Sequence, residues 1–396
     1  MPDQIVLVAG TDYPRYRADG ANGTLRLAAL EPGWWRPLCE RLARERLASD
    51  PSVRVVLFDF FRGTVEEASA AADGVRFDVT ERRHRDPADY RRLDHASRSP
   101  RLVPPEPRIG RDGGDQVRFF PGISRLSAGD VAWDAYLAER EALELDDVSI
   151  MDVYAAIERA AADGIRTREL HFFSHADLRG PILVNSLDLM PPDDPRRDRF
   201  DRDGRTDKDF APPNRDAGAF AQAFRPTSVV YVWGCGRQDV VTHVLRATAA
   251  QRTGSRLPRQ VRVTCAEDSS LTPYELGRAF GGRWRDGQTR TIGVATLRDW
   301  LRRHVESSYP YRIAVVTGAR CIGPLPGTLP AFDPGAPEPR FLYVPAVPTA
   351  EGRAGFGDVL GVYRDLLGID FYRPDGVGDG AFGRGFAVFQ GAGATS

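Results

Sequence analysis

The sequence lacks an excess of charge of either sign, and it has few cysteines and a single lysine. Its 54 basic and 55 acidic residues give a formal net charge of −1, so no broad electrostatic field is available to hold nucleic acid or an anionic membrane. The four cysteines form no CxxC pair and are too few for a disulfide framework, which favours a reducing compartment. Lys208 is the single lysine, and such heavy use of arginine is typical of a GC-rich bacterial genome. We therefore expect neither nucleic acid nor a membrane as a partner.

Long apolar runs are also missing. The first apolar run, Ile5 to Ala9, is too short and wrongly flanked for a signal peptide, and no window approaches the length of a membrane span. The sequence therefore predicts a cytoplasmic protein, and export without a cleavable signal also stays open. With 396 residues and 42% hydrophobic content, the chain can bury a sizeable core without disulfides or structural metals.

Short, continuous apolar runs alternate along the chain with stretches of helical periodicity. Continuous runs indicate strands that are buried on both faces of a parallel sheet, and the alternation indicates right-handed crossovers. The predicted strands are Ile5–Ala9, Val53–Phe60, Glu169–Phe173, Ser228–Trp233, Val261–Cys265 and Arg320–Gly323. The predicted helices are Trp35–Leu47, Val131–Leu143, Ile150–Ala162, Gln238–Gln251, Leu297–Val316 with a break at Pro310, and Phe356–Leu367. We therefore predict an α/β fold with a mainly parallel central sheet of about six strands.

Two stretches, about 82–126 and 190–216, are rich in Arg, Asp and Pro and predict long surface loops. The expected organisation is one α/β domain, residues 1–330, that carries these two insertions. Residues 331–396, where Pro and Gly cluster, are expected to form a C-terminal extension packed on that domain. The sequence has no GxxxxGK[ST] phosphate loop and no HExxH zinc pattern. It therefore predicts no cofactor and no metal site.

Two reactive side chains follow consecutive strands of the predicted sheet. In a doubly wound sheet, reacting groups collect beyond the carboxyl ends of the strands, where the third strand is followed by His175 and the fourth by Cys235. A thiol nucleophile needs a partner that lowers its pKa or takes its proton, and an imidazole serves both purposes. We expect the N–H of Gly236, at the start of the next helix, to help hold an oxyanion. A small buried side chain at Cys235 and a structural hydrogen bond at His175 explain the same residues.

A family resemblance supports the pairing of these two residues. The segment Phe172–Ile182, with the sequence FFSHADLRGPI, resembles the histidine segment of caspase-like cysteine peptidases. The segment Val229–Gly236, VVYVWGCG, is similar to the hydrophobic strand of that family that ends in the nucleophile. The resemblance implies a caspase-like three-layer sandwich and a cysteine-dependent peptide hydrolase, in which His175 is the base and Cys235 the nucleophile. The family usually has Gly directly after the His, where this chain has Ala176.

The resemblance also implies that a peptide or protein substrate lies beside residues that leave the strands near Cys235. Those positions offer four acidic side chains against one nearby basic side chain, Arg62, and they are Asp12, Asp177, Glu267 and Asp268. Carboxylates in a partly desolvated pocket pair best with guanidinium or ammonium groups, which predicts Arg or Lys before the scissile bond. Capping of the helices that follow is an alternative role for these acids.

Two other functions remain open at this point. Ala176 and the charged loops favour a catalytically inactive caspase-like binding or scaffold module. A fold does not fix a substrate, so an effector hydrolase that acts on a non-peptide substrate is the second alternative. The acidic segment 201–209 resembles a calcium-binding loop in the spacing of its ligands, but Phe210 occupies the closing acidic position. We therefore expect a solvated loop there rather than a calcium site.

Overall fold

The computed structural model describes residues 3–10, 15–18, 25–29, 35–60, 62–72, 74–82, 150–177, 180–183, 217–236, 239–253, 256–265, 273–333, 340–344, 356–369 and 386–390. Contacts within the chain divide it into two compact units. The N-terminal unit is Met1–His175 with Ile182–Asp203, and the C-terminal unit is Ala176–Pro181 with Gly204–Ser396. The predicted helix 131–143, the second predicted loop and all but the first residue of the first predicted loop lie outside the described residues.

The N-terminal unit alternates strands with helices. Its elements are β1 (Asp3–Ala9), β2 (Arg15–Ala18), β3 (Leu25–Ala29), α1 (Trp35–Ser49), β4 (Arg54–Asp59), β5 (Thr64–Ala71), β6 (Gly74–Arg82), α2 (Ile150–Ala162) and β7 (Arg166–Phe173). Five strands lie side by side in the order β7, β1, β4, β5, β6. Strand β1 runs parallel to both β7 and β4, whereas β4, β5 and β6 form an antiparallel meander. Strands β2 and β3 form a separate antiparallel ribbon.

Burial explains why the centre of this sheet is parallel. All residues of β1 from Ile5 to Ala9 are at most 2% exposed, and Val55 to Phe58 of β4 are almost as deeply buried. Strands with apolar side chains on both faces need a covering layer on each side, which crossover helices provide. Helix α1 contributes Leu38, Cys39 and Leu42, whose spacing places them on one helical face. Full burial of each leucine stabilises the fold by about 1.5–3 kcal/mol.

The chain continues with β8 (His175–Asp177) and β9 (Gly180–Ile182), and the remaining elements follow in the C-terminal unit. They are α3 (Ala217–Gln222), β10 (Phe224–Val232), α4 (Asp239–Ala249), β11 (Gln260–Thr264), α5 (Pro273–Phe280), β12 (Thr289–Gly293), α6 (Val294–Glu306), α7 (Tyr309–Thr317), β13 (Arg320–Gly323), β14 (Leu329–Asp333), β15 (Arg340–Val344), α8 (Phe356–Leu367) and β16 (Ala387–Phe389). Strand β13 pairs parallel with β10 and antiparallel with β16. Strands β14 and β15 form an antiparallel ribbon.

The placement of β11 corrects the prediction that Val261–Cys265 is a strand of the parallel sheet. Strand β11 instead pairs antiparallel with β12 in a separate two-stranded sheet. Its side chains alternate between exposed and buried, with Val261 and Val263 facing inward. This alternation is typical of a ribbon with one solvated face, not of a strand covered on both faces.

The α/β class is confirmed, and the parallel arrangement is confirmed for β7, β1 and β4 and for β10 and β13. The strand count differs from the predicted six, because β5 and β6 add antiparallel strands to the sheet of the N-terminal unit and β16 adds one to that of the C-terminal unit. Strand β16 lies within the predicted C-terminal extension, and it pairs with β13, which precedes residue 330. The extension therefore supplies a strand to the sheet of the C-terminal unit. Within the described ranges, no helix has the length and apolar content needed to cross a membrane.

Candidate functional site

His175 comes two residues after the carboxyl end of β7 and is partly exposed. The preceding Ser174 is buried, and its hydroxyl donates to the main-chain carbonyl of His175 at 2.7 Å. The main-chain N–H of Gly10 donates to the carbonyl of Phe173 at 2.9 Å, so the ends of β1 and β7 stay in register up to this residue. The backbone is therefore paired with β1 up to Phe173, two residues before His175.

An indole packs against the His175 imidazole. The ring centroids of Trp35 and His175 are 5.4 Å apart, and the ring planes meet at 86° in an edge-on arrangement. Trp35 is 5% exposed and is the first residue of α1. Edge-on aromatic contacts of this kind are favourable and restrict the rotation of both rings. Trp35 thus limits the orientations that are open to the His175 imidazole.

The residue after Trp35 anchors this helix terminus to the sheet. The Arg36 guanidinium donates to Asp59 Oδ2 at 2.7 Å, to both carboxylate oxygens of Glu66 at 3.0 and 2.8 Å, and to Glu40 at 2.7 Å. The side chains of Arg36, Asp59 and Glu66 are only 13%, 2% and 3% exposed. Charged hydrogen bonds at this depth are strong and have fixed geometry. The first turn of α1 is therefore tied to the carboxyl end of β4 and the start of β5.

The ionisation of this cluster follows from its pairing. Burial works to raise the pKa of the Glu66 carboxyl, but hydrogen bonds from Arg36 and Thr64 outweigh it and hold that pKa below its usual value. Burial likewise works to lower the pKa of Arg36, and its bonds to Glu66 and Asp59 raise it instead. Arg36 and Glu66 are consequently charged at neutral pH. The carboxylates of this cluster are already paired with Arg36 and are not additional sites for a basic substrate.

Cys235 follows β10 in the C-terminal unit, beyond the carboxyl end of a strand that is parallel to β13. It is the one cysteine of the four that is partly exposed. Burial raises the pKa of the Cys39 and Cys321 thiols well above their usual value. Burial also raises the pKa of the Cys265 thiol, and the nearby Asp286 carboxylate raises it further. Buried thiols of raised pKa are poor nucleophiles. Of the four thiols, that of Cys235 is therefore the most accessible to solvent.

The structure corrects the oxyanion role predicted for Gly236. The main-chain N–H of Gly236 donates to the carbonyl of Thr328 at 2.9 Å, and the Gly236 carbonyl accepts from the N–H of Gly327 at 2.6 Å. Because that N–H is already used inside the protein, it is not available to hold an oxyanion. A Cβ at position 236 would lie 2.1 Å from the Leu325 carbonyl oxygen, so close backbone packing explains the glycine.

The loop that receives Gly236 is itself fixed. The Tyr363 hydroxyl donates to the carbonyl of Pro326 at 2.5 Å, and the Thr242 hydroxyl donates to the carbonyl of Gly327 at 2.9 Å. Gly327 has φ +74°, and a Cβ there would lie 2.8 Å from the main-chain nitrogen of Thr242. Helices α4 and α8 therefore hold this loop, and the loop in turn holds the residue beside Cys235.

The predicted substrate-binding acids are not brought together by the described residues. Asp12, Glu267 and Asp268 lie outside the described residues, and Asp177 lies in β8 with its side chain undescribed. Glu267 and Asp268 follow β11, which is paired with β12 and not with the parallel strands. Their expected position at the carboxyl edge of the parallel sheet is therefore not supported. The acidic segment 201–209 lies outside the described residues as well.

Sequence reasoning missed the contact of Trp35 with His175 and the cluster that anchors it. Arg36 meets Asp59 and Glu66 across 23 and 30 sequence positions, so no local pattern reveals the pairing. One signal was present, since Asp59 is a charged residue directly after the apolar residues Val55 to Phe58 of β4. A buried carboxylate requires a cation nearby, and Arg36 at the start of the preceding helix was available.

The fold and this geometry define an α/β protein with parallel strands and a partly exposed cysteine beyond the end of one of them. Comparisons with protein-family models, with curated proteins and with solved structures found no match for this chain. In the parts of the chain that the structure describes, no three His, Cys, Asp or Glu side chains are grouped in a way that could hold a metal ion.

Proposed function

We propose that the protein is a cysteine-dependent peptide hydrolase of caspase-like, three-layer architecture. The observation that carries the proposal is the exposure of Cys235 beyond the carboxyl end of β10, while Cys39, Cys265 and Cys321 are buried. Active-site groups of open α/β sheets collect at this edge. The resemblance of the segments around His175 and Cys235 to caspase-like peptidases supplies the second argument.

The chemistry divides between the two residues. The His175 imidazole takes the thiol proton of Cys235, and the sulfur attacks the carbonyl carbon of the scissile bond. As the tetrahedral intermediate collapses, the C–N bond breaks and the imidazolium gives its proton to the departing amine. Water, deprotonated by His175, then attacks the thioester and releases the carboxylic acid and the free thiol. The step consumes one water molecule and requires no cofactor.

Trp35 has a positioning role in this proposal. A general base must present one ring nitrogen to the proton that it removes, and free rotation of the imidazole lowers the share of productive orientations. The T-shaped contact with the Trp35 indole restricts the His175 ring, and the bonds of Arg36 to Asp59 and Glu66 fix the helix turn that carries Trp35.

The predicted preference for Arg or Lys before the scissile bond remains part of the proposal. It rests on Asp12, Asp177, Glu267 and Asp268, which follow the strand ends in sequence. Neither Asp59 nor Glu66 adds to this preference, because Arg36 already occupies both carboxylates.

One observation favours a second function, a catalytically inactive binding module. The N–H of Gly236 donates to Thr328 and leaves the proposed nucleophile without the oxyanion donor that its neighbour was expected to supply. Loss of one such donor typically costs about two to three orders of magnitude in rate. Slow or absent turnover together with an intact Cys235 is the outcome that this alternative predicts.

A panel of fluorogenic peptides with Arg, Lys, Asp or Leu before the cut separates these functions. We expect cleavage after Arg and Lys, loss of that cleavage in Cys235→Ala, and no loss in the control Cys265→Ala. Cleavage that persists in Cys235→Ala would exclude the cysteine mechanism. Absence of cleavage across the panel would favour the binding module.

A further inference from the structure

A cavity of about 440 Å³ lies among helices α4, α5 and α6 of the C-terminal unit. Six of its lining residues carry polar or aromatic groups, and they are Glu275, Arg278, Trp300, Arg303, His304 and Ser307. The volume lies within the range of cavities that hold small molecules. The mechanism proposed for Cys235 and His175 uses none of these residues.

The cavity has an aromatic wall. Trp300 is 3% exposed and packs against Phe280 and His304, with ring centroids 4.9 and 4.7 Å apart. Burial and the neighbouring Arg303 lower the pKa of His304 to about 4, so its imidazole is neutral at pH 7. The wall therefore favours an apolar or aromatic group rather than a charged one.

The charges around the cavity have opposite signs. Arg278 and Arg303 supply two guanidinium groups, and Glu275 supplies one carboxylate. The Oε2 atom of Glu275 is shielded from solvent and has no hydrogen-bond partner. Because Oε2 is closed to a ligand as well as to water and Glu275 lines the cavity, a cation in the cavity pairs with the other oxygen of this carboxylate. The cavity thus contains a place for a cation as well as a place for an anion.

We propose that this cavity binds a free α-amino acid with an apolar or aromatic side chain. The carboxylate of the amino acid lies between Arg278 and Arg303, its ammonium group pairs with Glu275, and its side chain packs on Trp300. Guanidinium groups bind carboxylates through paired hydrogen bonds, which gives the site both orientation and affinity. A ligand with only one of the two charges leaves one side of the site without its partner.

Calorimetry on the full chain with three related compounds tests this assignment. L-Phenylalanine carries both charges, 3-phenylpropanoate lacks the ammonium group, and phenethylamine lacks the carboxylate. We expect L-phenylalanine to bind at least about 10-fold more tightly than either analogue, because each analogue loses one charged pair. Equal binding of the three compounds, or no binding of L-phenylalanine at millimolar concentration, would overturn the proposal.

Two variants and one control identify the residues responsible. Glu275→Gln should weaken the binding of L-phenylalanine by about 10-fold and leave the binding of 3-phenylpropanoate unchanged or tighter. Arg303→Gln should weaken the binding of both compounds, because both carry a carboxylate. Arg302→Gln is the matched control, because Arg302 is an exposed neighbour on α6 that does not line the cavity. Since the Glu275 Oε2 atom has no partner in the free protein, Glu275→Gln should not lower the melting temperature. A preference for L-phenylalanine that survives Glu275→Gln would also contradict the assignment.

Discussion

The Trp35 indole meets the His175 imidazole edge-on, with ring centroids 5.4 Å apart. This contact joins the first residue of α1 to the residue that the sequence resemblance assigns as a general base. It is independent of the identity of the substrate, so it can be tested before any substrate is known.

Replacement of Trp35 should change the environment of His175 in a graded way. The ring current of the indole shifts the imidazole proton resonances of His175, and Trp35→Leu removes that shift while Trp35→Phe retains part of it. Any peptidase activity should fall in kcat by about 10-fold in Trp35→Leu with little change in KM, because orientation and not binding is affected. Proton NMR of the histidine resonances measures the first effect, with His243 as the internal control. Resonances of His175 that are identical in all three proteins would show that the indole has no positioning role.

The buried cluster around Arg36 should make a large contribution to stability. Arg36→Met leaves Asp59 and Glu66 buried without their cation, and we expect the free energy of unfolding to fall by about 3–5 kcal/mol. A triple variant that adds Asp59→Asn and Glu66→Gln to Arg36→Met should recover part of this loss, because the buried side chains then carry no unpaired charge. Urea unfolding provides the measurement.

The control for this series is Arg41→Met, which removes a pair between the partly exposed Arg41 and the exposed Glu45 on the same helix. Such pairs contribute about 1 kcal/mol or less. If Arg36→Met and Arg41→Met were equally destabilised, the cluster would not be the anchor of α1.

A second buried group, formed by Glu169 and His171, should make the protein sensitive to acid. His171 is 1% exposed, and its Nε2 lies 3.0 Å from Glu169 Oε2, while Arg46 Nε lies 2.9 Å from the same oxygen. Burial lowers the pKa of His171 and outweighs the hydrogen bond to Glu169 that works to raise it. Burial works to raise the pKa of Glu169, but the bonds from His171 and Arg46 outweigh it and lower that pKa to about 2.

The sign of the pH dependence follows from these two directions. Below the ordinary histidine pKa of about 6.5, the unfolded chain binds a proton at His171 that the folded protein does not, so stability falls as the pH is lowered. Between an ordinary glutamate pKa of about 4.5 and the folded value of about 2, stability that Glu169 contributes at higher pH is lost in turn. Urea midpoints between pH 7.5 and 4 should therefore decrease steadily, and His171→Gln, which keeps a donor toward Glu169, should flatten the decrease near pH 6. If the urea midpoint of His171→Gln depended on pH in the same way as that of the unaltered protein, this account would be contradicted.

The sequence predicted most of the elements that build the sheet and little of the chemistry between distant residues. Helices α2 and α8 have the predicted bounds, and the helical pattern over 297–316 divides at Ser307 and Ser308, just before Pro310 in the first turn of α7. Strand β5 was missed because Glu66 and Glu67 interrupt its apolar pattern, and Glu66 is buried through its bonds to Arg36.

The candidate site shows the same division. Strand order and local resemblance led to the pairing of His175 with Cys235, which stays a prediction. The use of the Gly236 N–H depends on a loop about 90 residues further along the chain, at Thr328, and no short segment of sequence contains that information. Contacts between elements decide which main-chain groups remain available for catalysis.

The rate at which Cys235 is alkylated tests the central claim most directly. In the folded protein, limited treatment with iodoacetamide followed by mass spectrometry should label Cys235 before Cys39, Cys265 and Cys321. The rate at Cys235 should fall by about 10-fold or more in His175→Gln, because the base that removes the thiol proton is lost, and should not change in His243→Gln. A rate at Cys235 that is the same in the unaltered protein and in His175→Gln would contradict the proposed pairing.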